Sequence, residues 1–362
     1  MVFKLIYYKN TKYFLLFVKM KKNIIYISTI IVLAVLMFFI VRYFVKNRNP
    51  LDVDVSNIEL NLEIERFDRE LLDVDNSWKA IENLQDRYGD FFEIYNNEII
   101  SIGGIENSSY LTYLNTFLND YSVVEANREV KKIYSDCNKL NKELTQGFKH
   151  LLFYYPDEEV PRIVSFIAGF NHSVVLIDGF IAIGLDKYLG KECQLYDMLG
   201  IPQYAKDEMV SEQIPIDVLT AWAQDRYLFN PITDNLLSNM VYNGKTLYFL
   251  DAMYPKFKQA RKLKYTEDQL AYCYKFERDI WTNIIENKLL FDTDHFTIRK
   301  FVENAPNTYQ FGPDSPPRVA NWVGLQIVRS YVENNKITLI ELMEENDYQK
   351  ILNLSQYNPK YR

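Results

Sequence analysis

Three cysteines and three histidines are all that 362 residues contain of either type, and that scarcity removes several kinds of chemistry. Cys137, Cys193 and Cys273 are far apart, odd in number and form no C-x-x-C, so neither a disulfide framework nor a thiolate zinc knuckle is signalled. Each is expected in a core as a small hydrophobe. His150, His172 and His295 never stand four apart, so H-E-x-x-H is absent and no helix face can chelate zinc through two imidazoles. G-x-S-x-G is missing as well. Gly244-Lys245-Thr246 resembles the end of a phosphate loop, but Asn239 stands where the earlier glycine is needed, and the segment reads as mid-helix. In Asp292-Thr293-Asp294-His295 the first spacing suits a calcium loop, yet Phe296 replaces the next oxygen ligand, so Asp294 is read as a helix cap.

Acidic residues are absent from residues 1–50, which hold nine Lys/Arg. The remainder then carries 32 basic and 48 acidic residues, a net charge of −16. A body that acidic repels phosphate backbones, and nucleic acid is not an expected partner. What the chain does have is apolar and aromatic material: 48% hydrophobic residues, with 28 Tyr and 23 Phe, which argues for a folded core.

The longest uncharged run is IIYISTIIVLAVLMFFIV, Ile24 to Val41. Eighteen residues rising about 1.5 Å each cover roughly 27 Å of hydrocarbon, enough to span a bilayer. Six lysines precede it and three basic residues follow, which predicts a cytoplasmic N-terminus and an acidic body outside the inner membrane, in the periplasm. A cleaved signal peptide is the rival reading, but bulky Val41, Tyr43 and Phe44 supply no small-x-small site. Met20-Lys21-Lys22 also makes a more natural start than Met1. The expected organisation is a basic segment 1–23, a transmembrane helix 24–44, a linker 45–57 and one α+β domain 58–362.

Within that domain Ile58, Leu60, Leu62 and Ile64 alternate with polar residues, which predicts a half-buried strand. Helical spacing follows at Trp78, Ile81, Leu84 and Tyr88, at Tyr110, Leu114 and Phe117, and in one long helix from about 125 to 153. RIVSFIAGF, SVVLI and FIAIGLD read as strands, the last two joined by Asp178-Gly179 in a type I′ hairpin turn. Helices are predicted at about 215–228, 234–253, 266–287, 295–304, 317–334 and 338–345, with Thr266-x-x-Gln269 as a capping box. The sum is a mostly helical domain around a small central sheet.

Four polar residues are candidates for a site. His172 lies in the link between two strands, where bonding to a neighbour's backbone competes with a ligand role. Asp186 follows a strand and is placed to cap a short turn. Arg318 and Arg329 lie on one helix three turns apart, too far to grip one small anion together, and each is expected to pair with a carboxylate. Asp178 belongs to the hairpin turn. Paired catalytic carboxylates stay open, because 48 acids always supply pairs and only separation in space matters. No catalytic residue, metal ligand or cofactor is assigned.

Five runs taken in order resemble a known family: IERFDRELL, FIAGFNHSVVLIDGFIAIGLDKYLG, NLLSNMVYNGKTLYFLDAMYP, YTEDQLAYCYKFERDIWTNIIENKLLFDTD and ENAPNTYQFGPDSPPRVANWVGLQIVRSYVENN. Together they are similar to the gliding-motility lipoprotein B (GldB) family of Bacteroidetes, from about residue 55 to the C-terminus. The resemblance implies a membrane-attached envelope protein that serves gliding motility and an associated protein-export machinery, with protein components of that machinery as partners. It also implies a lipid-bearing cysteine at the end of a signal peptide, whereas the first cysteine here is Cys137, so anchoring falls to the apolar helix. The layout looks like a zinc-metallopeptidase fold that has lost its ligands. The corresponding segments would be Ile216–Trp222 and Tyr242–Lys245, which contain no histidine and no glutamate. The resulting expectation is a non-catalytic binding protein of the cell envelope. The rivals are a divergent metallohydrolase or carboxylate-dependent hydrolase acting on envelope polymers, and a small-molecule sensor.

Overall fold

The computed structural model describes residues 33–38, 49–75 and 77–360. The chain divides into two compact units, Met1–Asp52 and Val53–Arg362. In the first, residues 33–38 are helical with exposed side chains. The rest of the expected span 24–44, and the basic segment 1–23, lie outside the described residues. Among the described residues no helix is long and apolar enough to cross a membrane.

Val53–Arg362 is mostly helical and carries one three-stranded mixed sheet. β1 (Arg162–Phe166), β2 (Val174–Ile177) and β3 (Phe180–Gly184) lie in the order β1-β3-β2, with β3 parallel to β1 and antiparallel to β2. The Asp178-Gly179 hairpin forms, since Ile177 faces Phe180 across it. Only Gly179 of the two takes a positive φ, 73°, which corrects the expected type I′ turn, where both would. Its carbonyl accepts the Arg162 N–H at 2.9 Å, so the turn is tied to β1 as well as to its own two strands.

The strand expected at 58–64 is another correction. Leu62 and Ile64 do turn inward, as the alternation requires. Their N–H groups donate to Thr145 Oγ1 (3.0 Å) and Asn141 Oδ1 (3.2 Å) on the Asn138–Tyr154 helix, and the segment meets the sheet through a single bridge, Glu65 to Val164. Periodicity reported the buried face correctly, but a helix edge took the backbone bonds that a neighbouring strand would have taken.

The single helix expected over 125–153 is two, Tyr121–Ile133 and Asn138–Tyr154. At the break the Tyr134 carbonyl accepts from Arg66 Nη1 (2.7 Å) and Arg69 Nη2 (2.6 Å), and Asp136 Oδ1 accepts the Asn138 N–H (3.0 Å) to restart the coil. The 266–287 prediction likewise splits at Phe276 into Glu267–Lys275 and Glu277–Glu286. The Thr266 capping box and the Asp294 cap are present. Ile214–Arg226, Leu236–Met253, His295–Val302, Val319–Asn335 and Leu339–Glu344 fall where predicted, while Gln259–Leu263 and Tyr348–Ser355 were not foreseen.

Two different cores result. One is aromatic: the Phe67 ring meets Tyr88, Phe91 and Tyr95 edge-on at 4.9–5.0 Å, and Phe166 of β1 reaches the same cluster. The other is a helix crossing. Leu236–Met253 and Val319–Asn335 pass so closely at Gly244 and Gly324 that a Cβ on either would overlap the backbone of the other helix. Only glycine permits that approach.

Candidate functional site

A polar cleft of about 170 Å³ opens where three helices meet, and it is built from helical spacing. Asp217, Thr220 and Gln224 share one face of Ile214–Arg226, while Asn243, Thr246, Leu247 and Leu250 share one face of Leu236–Met253. Arg318, at the start of Val319–Asn335, and residues 262–265, at the end of Gln259–Leu263 and just beyond it, complete the wall. Lys264 and Arg318 both adopt left-handed backbone, with φ of 56° and 52°. Such conformations are uncommon for residues with a Cβ and persist where surroundings enforce them.

Ion pairs hold both side chains. Arg318 binds Glu208 through both terminal nitrogens, at 2.5 and 3.2 Å. Lys264 Nζ lies 2.7 Å from Asp217 and 3.6 Å from the same Glu208. Tyr188 Oη donates to the second oxygen of Asp217 at 2.9 Å. Behind the cleft a second chain joins Lys262 to Asp251 and Asp251 to Arg329 (2.6 Å), whose guanidinium also reaches Gln259 Oε1 at 2.5 Å. Lys262 and Asp251 are almost fully buried, at 4% and 6% side-chain exposure, so each charge depends on the partners it has there.

Arg318 and Arg329 each pair with a carboxylate, Glu208 and Asp251, in separate ion-pair chains. Asp186 caps a turn, though not the one it begins: its Oδ2 accepts the N–H groups of Ala168 (3.0 Å) and Phe170 (2.7 Å), in the β1–β2 link. Gly169 and Phe170 there have φ of 67° and 70°. Asp186 is completely buried, and burial raises its carboxyl to about 6. Tyr188, two residues on, connects this turn to Asp217. His172 is exposed in the same link and is not among the residues lining the cleft. Asp178 stays in its turn. Among the described residues no group of three or more His, Cys, Asp or Glu is placed to hold a metal ion.

Sequence reasoning missed Glu208, Asp251, Lys262 and Lys264. Their partners lie 11 to 110 positions away, and no local pattern announces such pairs. A usable signal did exist in Asp217, Thr220 and Gln224, polar residues recurring at one helical face of an otherwise apolar segment.

These features define a helix-dominated α+β domain with an ion-paired interhelical cleft. The chain matches the family model of gliding motility protein GldB over residues 48–359, and it belongs to that family. No curated protein and no solved structure matches it.

Proposed function

We propose that this GldB-family chain is a membrane-attached protein of the cell envelope, whose Val53–Arg362 body binds protein components of a motility or protein-export assembly rather than performing catalysis. The observation that carries this reading is the content of the cleft. Ile216, Asp217, Thr220 and Asn243, from the two segments likened to the ligand-bearing helices of a zinc peptidase, line it. The one carboxylate among them has both oxygens engaged, by Lys264 and Tyr188. A carboxylate so held is a poor metal ligand or general base, because ligation or proton transfer must first break those bonds. The degenerate peptidase fold is part of this proposal, and so is the inner-membrane anchor at Ile24–Val41 with the body in the periplasm.

The test is crosslinking in cells, followed by purification of the full chain in detergent. Specific envelope proteins are expected to co-purify, and metal content is expected far below one zinc per chain. Stoichiometric zinc, or hydrolysis of envelope polymers by the purified protein, would overturn the non-catalytic reading. A reporter fused after Arg362 should work outside the cytoplasm.

A further inference from the structure

We propose that the cleft captures the carboxylate end of a polypeptide, an inference that rests on the binding role proposed above and gives that role a chemical specificity. Charge is the first argument. Lys264 and Arg318 line the cleft with one carboxylate, Asp217, and Lys262 lines it with its ammonium turned back to Asp251. Lys264 and Arg318 are balanced by Asp217 and Glu208, while the second chain behind the cleft sets two cations, Lys262 and Arg329, against Asp251 alone. One surplus positive charge thus lies in a body whose sequence beyond residue 50 is strongly acidic, which singles the cleft out for an anion.

Donors also remain. A guanidinium has five N–H groups and an ammonium three, while Glu208 takes two from Arg318. An incoming carboxylate can therefore be bound without expelling Glu208. Arg318 stands at the start of a 17-residue helix and itself provides no side-chain cap, so the positive end of that helix adds to the same field.

Size and lining decide what carries the anion. At about 170 Å³ the cleft is smaller than the roughly 300–1,000 Å³ of pockets that enclose whole small molecules. It suits the end of something longer. Gln224 offers an amide donor and acceptor for a terminal peptide group, Asn243, whose Nδ2 donates to the Asn239 carbonyl, offers its Oδ1, and Leu247 and Leu250 give an apolar wall for the last side chain. A free phosphate would use the cations and leave that wall idle. Capture of a chain terminus by its carboxylate is a known mode of peptide recognition.

The experiment uses the full-length protein, immobilised in detergent, and two pools of random pentapeptides that differ only in a free or an amidated C-terminus. Retained peptides are counted by mass spectrometry. Free acids should be retained about tenfold or more over amides, as expected for a charge-assisted pair. Arg318→Gln and Lys264→Gln should abolish that preference. Thr220→Glu should also abolish it, by adding a negative charge while leaving every ion pair in place, and circular dichroism reports whether each variant is folded. Equal retention of both pools, retention of neither, or a preference untouched by a folded Thr220→Glu would overturn the proposal. Binding of radiolabelled inorganic phosphate in place of peptide would overturn it in favour of a phosphate site. Co-purification of envelope proteins is scored separately: if it persists without peptide retention, the carboxylate pocket alone is lost and the wider binding role stands.

Discussion

The aromatic half and the cleft half of the same unit are held together by opposite means. Around Phe67 the interior is ring against ring, and its two buried carboxylates are held close to home: Asp68 accepts from Arg66 twice (2.7 and 2.8 Å) and from Ser165 Oγ at 2.5 Å, and Asp186 accepts from the Ala168 and Phe170 N–H groups. Around Gly244 and Gly324 the chain buries Lys245, Asp251 and Lys262, and their partners come from distant segments. Aromatic packing contributes apolar burial and ring contacts rather than fixed charge. A buried ion web gains little net stability, because desolvation offsets attraction, but it fixes donors in place. The difference teaches how each half is built: a fold that could have filled the second half with Leu and Phe keeps charges there instead.

The sharpest way to break the comparison is at the helix crossing, on which the cleft is mounted. Gly324→Val places branched carbons against the Met240 backbone, where even one Cβ has no room. Two packed helices must separate to admit it, and the loss is expected at about 4 kcal/mol or more, at the upper end for overpacked cores. Urea denaturation of the purified chain measures it. A loss below about 1 kcal/mol would mean that the crossing is looser than its geometry and that the two halves are less distinct.

Next in size is Phe91→Ala. Phe91 is fully buried and meets Phe67 at 5.0 Å, so truncation leaves a cavity and is expected to cost about 3–5 kcal/mol. Peptide retention by the cleft should be unchanged wherever the variant is still folded. Cleft variants such as Lys264→Gln should do the reverse: Lys264 is partly exposed, and stability should fall by only about 1 kcal/mol or less. Parallel denaturation and retention measurements on both variants therefore cross over if the halves divide their roles as described.

Much of the frame was legible in sequence because it rests on local rules. The Thr266 box, the Asp294 cap and the Asp-Gly hairpin are short-range chemistry, and all three are present. Misreadings occurred where tertiary partners overrode the local pattern. The 58–64 segment satisfied its N–H groups on helix side chains, and Tyr134 surrendered its carbonyl to Arg66 and Arg69. For the site, Arg318 and Arg329 could be singled out as needing carboxylates, but not which ones. Glu208 is 110 residues from Arg318, and Lys264 owes its role to a left-handed turn that no glycine advertises. The family runs follow the same division. IERFDRELL supplies the Phe67 hub and its Arg66–Asp68 pair, whereas the two runs carrying Gly244 and Gly324 supply the crossing.

Asp186 gives the finest probe, since it belongs to the sheet side yet is linked through Tyr188 to the cleft. Its folded carboxyl is raised to about 6 by burial, above the ordinary value of 3.8. Between those two values the folded state binds more protons than the unfolded chain, so this group makes stability rise as pH falls from about 6 toward 4. Above pH 6 the buried carboxylate costs about 3 kcal/mol relative to its protonated form. Asp186→Asn keeps an oxygen for the Ala168 and Phe170 N–H groups and removes the charge. The variant should be at least as stable as the parent at pH 8, and the difference between them should shrink steadily as pH falls toward 4. Urea midpoints across that range check it. A parallel pair of curves would show that Asp186 does not titrate in the folded protein, while a large loss at pH 8 would show that its negative charge itself holds the left-handed turn at Gly169 and Phe170.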